Sequence, residues 1–169
     1  SGAAWALEPT PDDDLLFSGC GTGYYTDCLD SAFLGQLNVG GSSYKSISDP
    51  ALANTAVFDL ALQPDGKVVA VGKSRVAGRT QMTVFRLLPG GTLDPAFGTN
   101  GLVQLGTDLA MDHGTSLVLE SDGRVTLAGL RGSSLVVVRL LANGAPDTSF
   151  GSGGGFNWGT ELAGGGSLK

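Results

Sequence analysis

The sequence predicts an all-β chain of short strands joined by tight turns, and three observations carry the prediction. A paragraph of sequence recurs. Phe58-Asp-Leu-Ala-Leu-Gln-Pro-Asp-Gly-Lys-Val-Val-Ala-Val-Gly72 returns as Ser116-Leu-Val-Leu-Glu-Ser-Asp-Gly-Arg-Val-Thr-Leu-Ala-Gly129, and a worn copy, Trp5-Ala-Leu-Glu-Pro-Thr-Pro-Asp-Asp-Asp-Leu-Leu-Phe-Ser-Gly19, precedes both. The closing glycines lie 53 and 57 residues apart, a period typical of propellers, solenoids and arrays. Composition agrees: Gly is 28 of 169 residues, charged residues are 15%, and His113 is the single histidine. Low charge with many glycines marks a chain of many strands and turns. Finally, Val, Leu, Phe and Thr gather in short runs separated by Gly, Asp, Asn and Pro, the strand-and-turn pattern.

Each copy divides into four strand-like segments. In the first they are Ala4–Glu8, Asp14–Gly19, Ser31–Leu37 and Tyr44–Ser48. The second gives Ala56–Leu62, Lys67–Lys73, Gln81–Leu88 and Gly101–Leu105, and the third Thr115–Glu120, Arg124–Leu130, Ser134–Leu141 and Gly155–Trp158. Val68-Val-Ala-Val71 and Leu135-Val-Val-Val138 are apolar at successive positions. A strand with one wet face alternates, so unbroken apolar runs imply strands covered on both faces. Stacked propeller blades provide that cover. Asp65-Gly66 and Asp122-Gly123 stand between strand runs, where Asp-Gly predicts a two-residue hairpin because Gly accepts positive φ. Pro89-Gly90-Gly91 and Ala142-Asn143-Gly144 fill the later turn of their copies. The chain therefore reads as three four-stranded blades: a degenerate first blade over 1–54, a second over 55–110, a third over 111–160, and a flexible tail over 161–169.

Charge and composition exclude some functions. A net charge of −6 opposes nucleic-acid binding, which needs clustered Lys and Arg. No apolar run reaches the ~20 residues that cross a bilayer as a helix, and no cofactor signature is present. The start has no basic region followed by an apolar stretch, so an export signal would already have been removed. Cys20 and Cys28 enclose a flexible polar spacer. They read as a small disulfide loop of an oxidising compartment, with two unrelated thiols as the alternative.

Particular residues sharpen the picture. Gln63-Pro-Asp-Gly-Lys67, Phe85-Arg86-Leu87 and Gly91-Thr-Leu-Asp-Pro-Ala-Phe-Gly98, with Val138-Arg139-Leu140 and Gly144-Ala-Pro-Asp-Thr-Ser-Phe-Gly151, resemble the delta-60 repeat. That bacterial repeat of about sixty residues ends in D-x-x-F-G. The resemblance covers Ala56–Trp158 well and the first fifty residues poorly. It implies a β-propeller-like fold and a secreted, periplasmic or cell-surface bacterial protein, and it carries no catalytic residues.

Arg86 and Asp94 are eight residues apart, as are Arg139 and Asp147; the first copy has Gln36 and Tyr44 at these positions and no F-G. Arg and Asp are lost together, which suggests a structural pair with Phe97 or Phe150 plugging the blade. The simpler alternative is that each Asp only caps its own turn.

Three blades do not close a ring, since closed propellers use about four to eight. An open ring leaves sheet edges and an apolar face uncovered. The expectation is a homodimer forming a pseudo-six-bladed propeller, or a larger assembly.

For chemistry, Asp112-His113 is the first candidate, because His is the common general base near neutral pH. The repeat places the pair in the loop before a first strand, opposite Ala53-Asn54, where propeller loops line an axial mouth. Thr107, Thr115 and Ser116 are nearby nucleophile candidates, but none sits in a G-x-S-x-G elbow. A lone loop histidine with no chemistry is the plainer account. Asp12-Asp13-Asp14 could hold Ca²⁺ through carboxylate oxygens, or form an acidic hairpin turn. Tyr24 and Tyr25 at the tip of the cysteine loop suit a sugar or protein contact; Trp5, Tyr44 and Trp158 equally suit blade edges. The sequence thus predicts a non-catalytic exported module for protein or carbohydrate binding or envelope structure. Its interface would include Tyr24, Tyr25, Asn54 and His113. The alternative is a secreted hydrolase or lyase with His113 in an axial pocket.

Overall fold

The computed structural model describes residues 3–10, 14–20, 32–37, 44–47, 50–52, 54–105, 112–131 and 134–157. The first antiparallel sheet contains β1 (Ala3–Pro9), β2 (Leu15–Cys20), β3 (Ala32–Leu37) and β4 (Tyr44–Ile47). The second contains β5 (Thr55–Leu62), β6 (Val68–Val76), β7 (Arg79–Leu87) and β8 (Leu102–Leu105). The third contains β9 (Asp112–Leu119), β10 (Val125–Arg131), β11 (Ser134–Leu140) and β12 (Gly155–Asn157). Each sheet is a meander in chain order, the arrangement of a propeller blade.

The differences from the sequence reading have local causes. β6 and β7 run on to a two-residue loop, Ala77-Gly78, with φ of 50° and 78°. Both residues are left-handed, as a hairpin of this twist requires, but Ala at the first position hides the signal. Asp65-Gly66 is a three-residue turn instead of the expected two-residue one. The Gln63 N–H donates to Lys67 O and the Gly66 N–H to Gln63 O, with Gly66 at φ 78°. The turns at Gly91, Gly123 and Gly144 repeat this bonding. Each first strand also carries an irregularity, skipping Trp5, Phe58 and Thr115 in the three registers. Such a bulge breaks the alternation from which strands are read.

The core lies between sheets. Alternate residues of β6 and β7 point to opposite faces. Val68, Ala70, Phe85 and Leu87 pack with Ala6, Leu16, Val57 and Leu60 toward the first sheet. Val69, Val71, Met82 and Val84 pack with Leu117, Val125, Leu127, Val136 and Leu140 toward the third. The apolar run Val68–Val71 is buried throughout, so the second blade is covered on both faces. β9 lies so close to this face that a Cβ on Gly114 would collide with Val71.

The third sheet lacks such cover on its far side among the described residues. Val118, Leu135 and Phe156 are 62%, 37% and 47% exposed. Their register equivalents in the second sheet are Ala61, Met82 and Val103, which lie under or against the joint with the third.

Candidate functional site

The repeated polar residues assemble where one blade meets the next. Arg86, near the end of β7, donates from Nε to Asp94 Oδ2 at 2.9 Å. Asp94 Oδ1 accepts the Ala96 N–H at 3.0 Å, so the carboxylate both pairs with Arg86 and caps its own turn. The loop folds back under β7 through Asp94 N–H to Arg86 O and Phe97 N–H to Asp94 O. This brings the guanidinium over the Phe97 ring, 4.7 Å from its centroid, and Phe97 is fully buried. Lys67, from the earlier turn, reaches Asp65 at 2.8 Å and Asp94 at 3.8 Å.

The third blade repeats the set. Arg139 Nε donates to Asp147 Oδ2 at 2.8 Å, with its guanidinium 4.4 Å from the Phe150 centroid. Arg124 lies 2.8 Å from Asp122 and 3.6 Å from Asp147. The first blade holds a different solution at the same register: Asp14 stands where Lys67 does, and Gln36 Nε2 donates to Asp14 Oδ2 at 2.9 Å. Cation, carboxylate and cation have become carboxylate and amide, which explains why the first copy reads as degenerate.

The Arg86 cluster also couples blades. Arg86 Nη1 donates to the carbonyl of Ala142 at 2.7 Å, and the Gly98 N–H to the carbonyl of Asn143 at 2.8 Å. Gly144 follows at φ 84°, and a Cβ there would come within 2.8 Å of the Gly98 nitrogen. A second tie joins the first strands. Asp59 Oδ2 accepts the Leu117 N–H at 2.8 Å and the Ser116 hydroxyl at 3.0 Å. A carboxylate from one blade thus caps the edge strand of the next. Asp59 was not singled out in the sequence, although a lone charge within the apolar run Val57–Leu62 was its signal. The carbonyls of Ala142 and Asn143 have no side-chain signal at all.

These carboxyls titrate low. Burial pushes the Asp94 carboxyl up, but the Ala96 N–H and the Arg86 guanidinium outweigh it and hold the group below its ordinary 3.8. For Asp147 the Ser149 hydroxyl is the largest influence; it lowers the carboxyl, helped by the Ser149 N–H and Arg139, against the opposing effect of burial. A depressed folded-state pKa adds stability above the unfolded value, near pH 4, and loses it as pH falls through the lower folded value. Urea midpoints should therefore fall below about pH 4, and Asp94→Asn should flatten that acid limb. An acid limb identical in wild type and variant would contradict the assignment.

The other candidates are placed as follows. Asp112 and His113 open strand β9, paired with Arg131 and Leu130, and do not lie in a preceding loop. In register His113 matches Ala56, not Asn54, because both first strands bulge at the equivalent residue, Phe58 and Thr115, and so keep the 57-residue spacing of Gly72 and Gly129. Asn54 is an exposed turn residue at φ 60° whose carbonyl accepts the Arg75 N–H. Thr115 donates to Ala128 O, and Ser116 is tied to Asp59. Tyr24, Tyr25, Cys28, Asp12, Asp13, Thr107 and Trp158 lie outside the described residues, as do the side chains of Trp5, Cys20, Tyr44, Asp112 and His113.

Residues 63–97 and 120–150 match the family model described as "Domain of unknown function (DUF5122) beta-propeller", a family of the delta-60 repeat type. No curated protein matches the sequence. Among solved structures, the Nup133 β-propeller domain of Vanderwaltozyma polyspora is similar at 11% identity and a TM-score of 0.39, over 82% of this chain. The chain spans 43% of that domain's length. The matched segments hold the turns, the Arg–Asp pairs and the phenylalanines of the second and third blades, and these two segments are similar to repeats of the delta-60 type.

Proposed function

We propose that this chain is a non-catalytic, exported β-propeller module that works by contact, binding a protein or carbohydrate partner or building part of an envelope protein, and that copies of it associate to complete the ring. The observation that carries this reading is the apolar face of the third sheet, with Val118, Leu135 and Phe156 uncovered where the second sheet's equivalents are covered by a blade. A contiguous apolar patch on a soluble fold marks an interaction surface. Two chains supply six blades, within the usual range of about four to eight. The repeated Arg, Asp and Phe residues serve the fold, which leaves the surface as the place of function.

Sedimentation equilibrium at micromolar concentration, together with a glycan array, tests the reading. A mass of about twice the 17.1 kDa chain, or a reproducible glycan pattern, supports it. A monomer that leaves the array blank overturns it.

A further inference from the structure

Two turns of the third blade line a cleft. Asp122 and Arg124 come from the turn between β9 and β10, and Leu141, Ala142 and Asn143 from the turn after β11. The turns touch at Gly123, where an added Cβ would meet the Ala142 Cβ at 3.2 Å. The cleft has a volume of about 480 Å³, within the range of roughly 300–1,000 Å³ that small-molecule sites occupy. Its lining is held in place. Asp122 Oδ1 accepts the Arg124 N–H at 3.1 Å, and Asn143 Oδ1 accepts the Ala145 N–H at 3.0 Å. The carbonyls of Ala142 and Asn143 are fixed by Arg86 and Gly98 of the second blade. A ligand would meet a formed site and order little on binding.

The chemistry of the lining suits hydroxyl groups better than charges. Arg124 lies 2.8 Å from Asp122, 3.2 Å from Glu120 and 3.6 Å from Asp147, so an ionic ligand must compete with charges already paired. The Arg124 N–H and side chain hold the Asp122 carboxyl below its ordinary 3.8. At neutral pH it is ionised and only accepts. Asn143 uses Oδ1 within its own turn and offers the two N–H groups of Nδ2. A hydroxyl both donates and accepts, and hydroxyls of one molecule can therefore serve Asp122 and Asn143 together. The remaining lining is apolar: Leu141, 38% exposed, and Ala142. A sugar ring combines these needs, with hydroxyls at its edge and C–H groups on its face.

The second blade lacks this combination. Counting from Leu87 and Leu140, Pro89 stands for Ala142 and Gly90 for Asn143. No side chain occupies the Asn143 position there, and a Cβ on Gly66 would meet the Pro89 ring at 3.3 Å. Leu88 is half-buried where Leu141 is exposed. The same turn closes with Gly90 in it, so the Asn143 side chain is not required by the fold.

Resting on the reading of the chain as a module that works by contact, we propose that the cleft of Asp122, Arg124, Leu141, Ala142 and Asn143 binds a neutral sugar residue. Asp122 accepts from one ring hydroxyl, Asn143 Nδ2 donates to another, and the C–H face of the ring lies on Leu141 and Ala142. Arg124 stays with its carboxylates and holds Asp122 in place.

Heteronuclear NMR of the labelled full chain tests the site, by titration with the methyl glycosides of glucose, galactose, mannose and N-acetylglucosamine. At least one should shift the amides of residues 122–124 and 141–143 and the Asn143 side-chain signal along a saturable curve. Asn143→Asp keeps the oxygen that caps Ala145 but withdraws Nδ2. It should weaken binding about threefold to tenfold, the worth of one hydrogen bond. Asp122→Asn keeps the acceptor for the Arg124 N–H and removes the charge, which should cost about tenfold or more. Both side chains are exposed, and circular dichroism checks the fold of each variant. Asp65→Asn, the same change in the second blade, should bind as the wild type does. The methyl glycoside of glucuronate should bind no better than that of glucose. No shift at these residues with any of the four sugars, binding unaltered in both variants, or a preference for the glucuronate would overturn the proposal. A dimeric chain without these shifts loses this site alone. A monomer that shows none and leaves the glycan array blank loses the contact reading as well, so the two failures are told apart.

Discussion

Asp94→Ala is expected to destabilise the fold by about 3–5 kcal/mol, the cost of stranding a buried charge. Asp94 is 4% exposed and Arg86 7%, so water cannot replace the lost carboxylate. The Ala96 N–H loses its acceptor, and Lys67 loses the farther of its two carboxylates. Arg86 keeps the Ala142 carbonyl, but a neutral acceptor does not balance a guanidinium. Asp147→Ala removes the same pairing from the third blade, yet should cost clearly less, because Arg139 is more exposed and solvent screens it. Urea unfolding of the two variants gives the comparison. Equal losses at the two sites would show that the second blade's pair gains nothing from being buried in a joint.

The second large effect is at Phe97. Truncation to alanine should cost about 3–5 kcal/mol, since it leaves a cavity in the close-packed layer between blades. Phe97 is fully buried there with Val69, Val71, Leu127 and Leu140. It also forms the surface against which the Arg86 guanidinium lies. Phe150 occupies the same place in the repeat but is half-buried, with Phe156 edge-on at 5.1 Å. Phe150→Ala should therefore lose distinctly less in an isolated chain. Calorimetry would expose the asymmetry; matching shifts in Tm would mean that both rings are equally enclosed. Phe97→Leu should recover much of the loss by refilling the volume.

The three-blade plan was legible because it depends on period and pattern. Repeated Asp-Gly and Gly-Gly turns, and runs such as Val68–Val71, follow from the chain alone. The same holds for the Arg86–Asp94 and Arg139–Asp147 spacings, since the loss of both types together in the first copy pointed to contact. The polar strand starts were hidden. Asp112 and His113 lie in β9, but the bulge at Thr115 interrupts the alternation that would have shown it. The Ala77-Gly78 loop was hidden as well, because alanine at φ 50° is not a residue that announces a left-handed turn.

By itself the sequence determined that this chain is a tandem of β-units, that turns fall at Asp65-Gly66 and Asp122-Gly123, and that Arg86 and Arg139 belong with Asp94 and Asp147. Those are matters of local propensity and spacing, written into neighbouring residues. Only the tertiary structure decided that Arg86 reaches across 56 residues to the Ala142 carbonyl, that Asp59 caps the next blade's first strand, and that Phe97 and Phe150 differ in burial. Backbone carbonyls carry no side-chain code, and burial depends on what stands opposite. The role of a residue at a joint is set by the neighbouring blade.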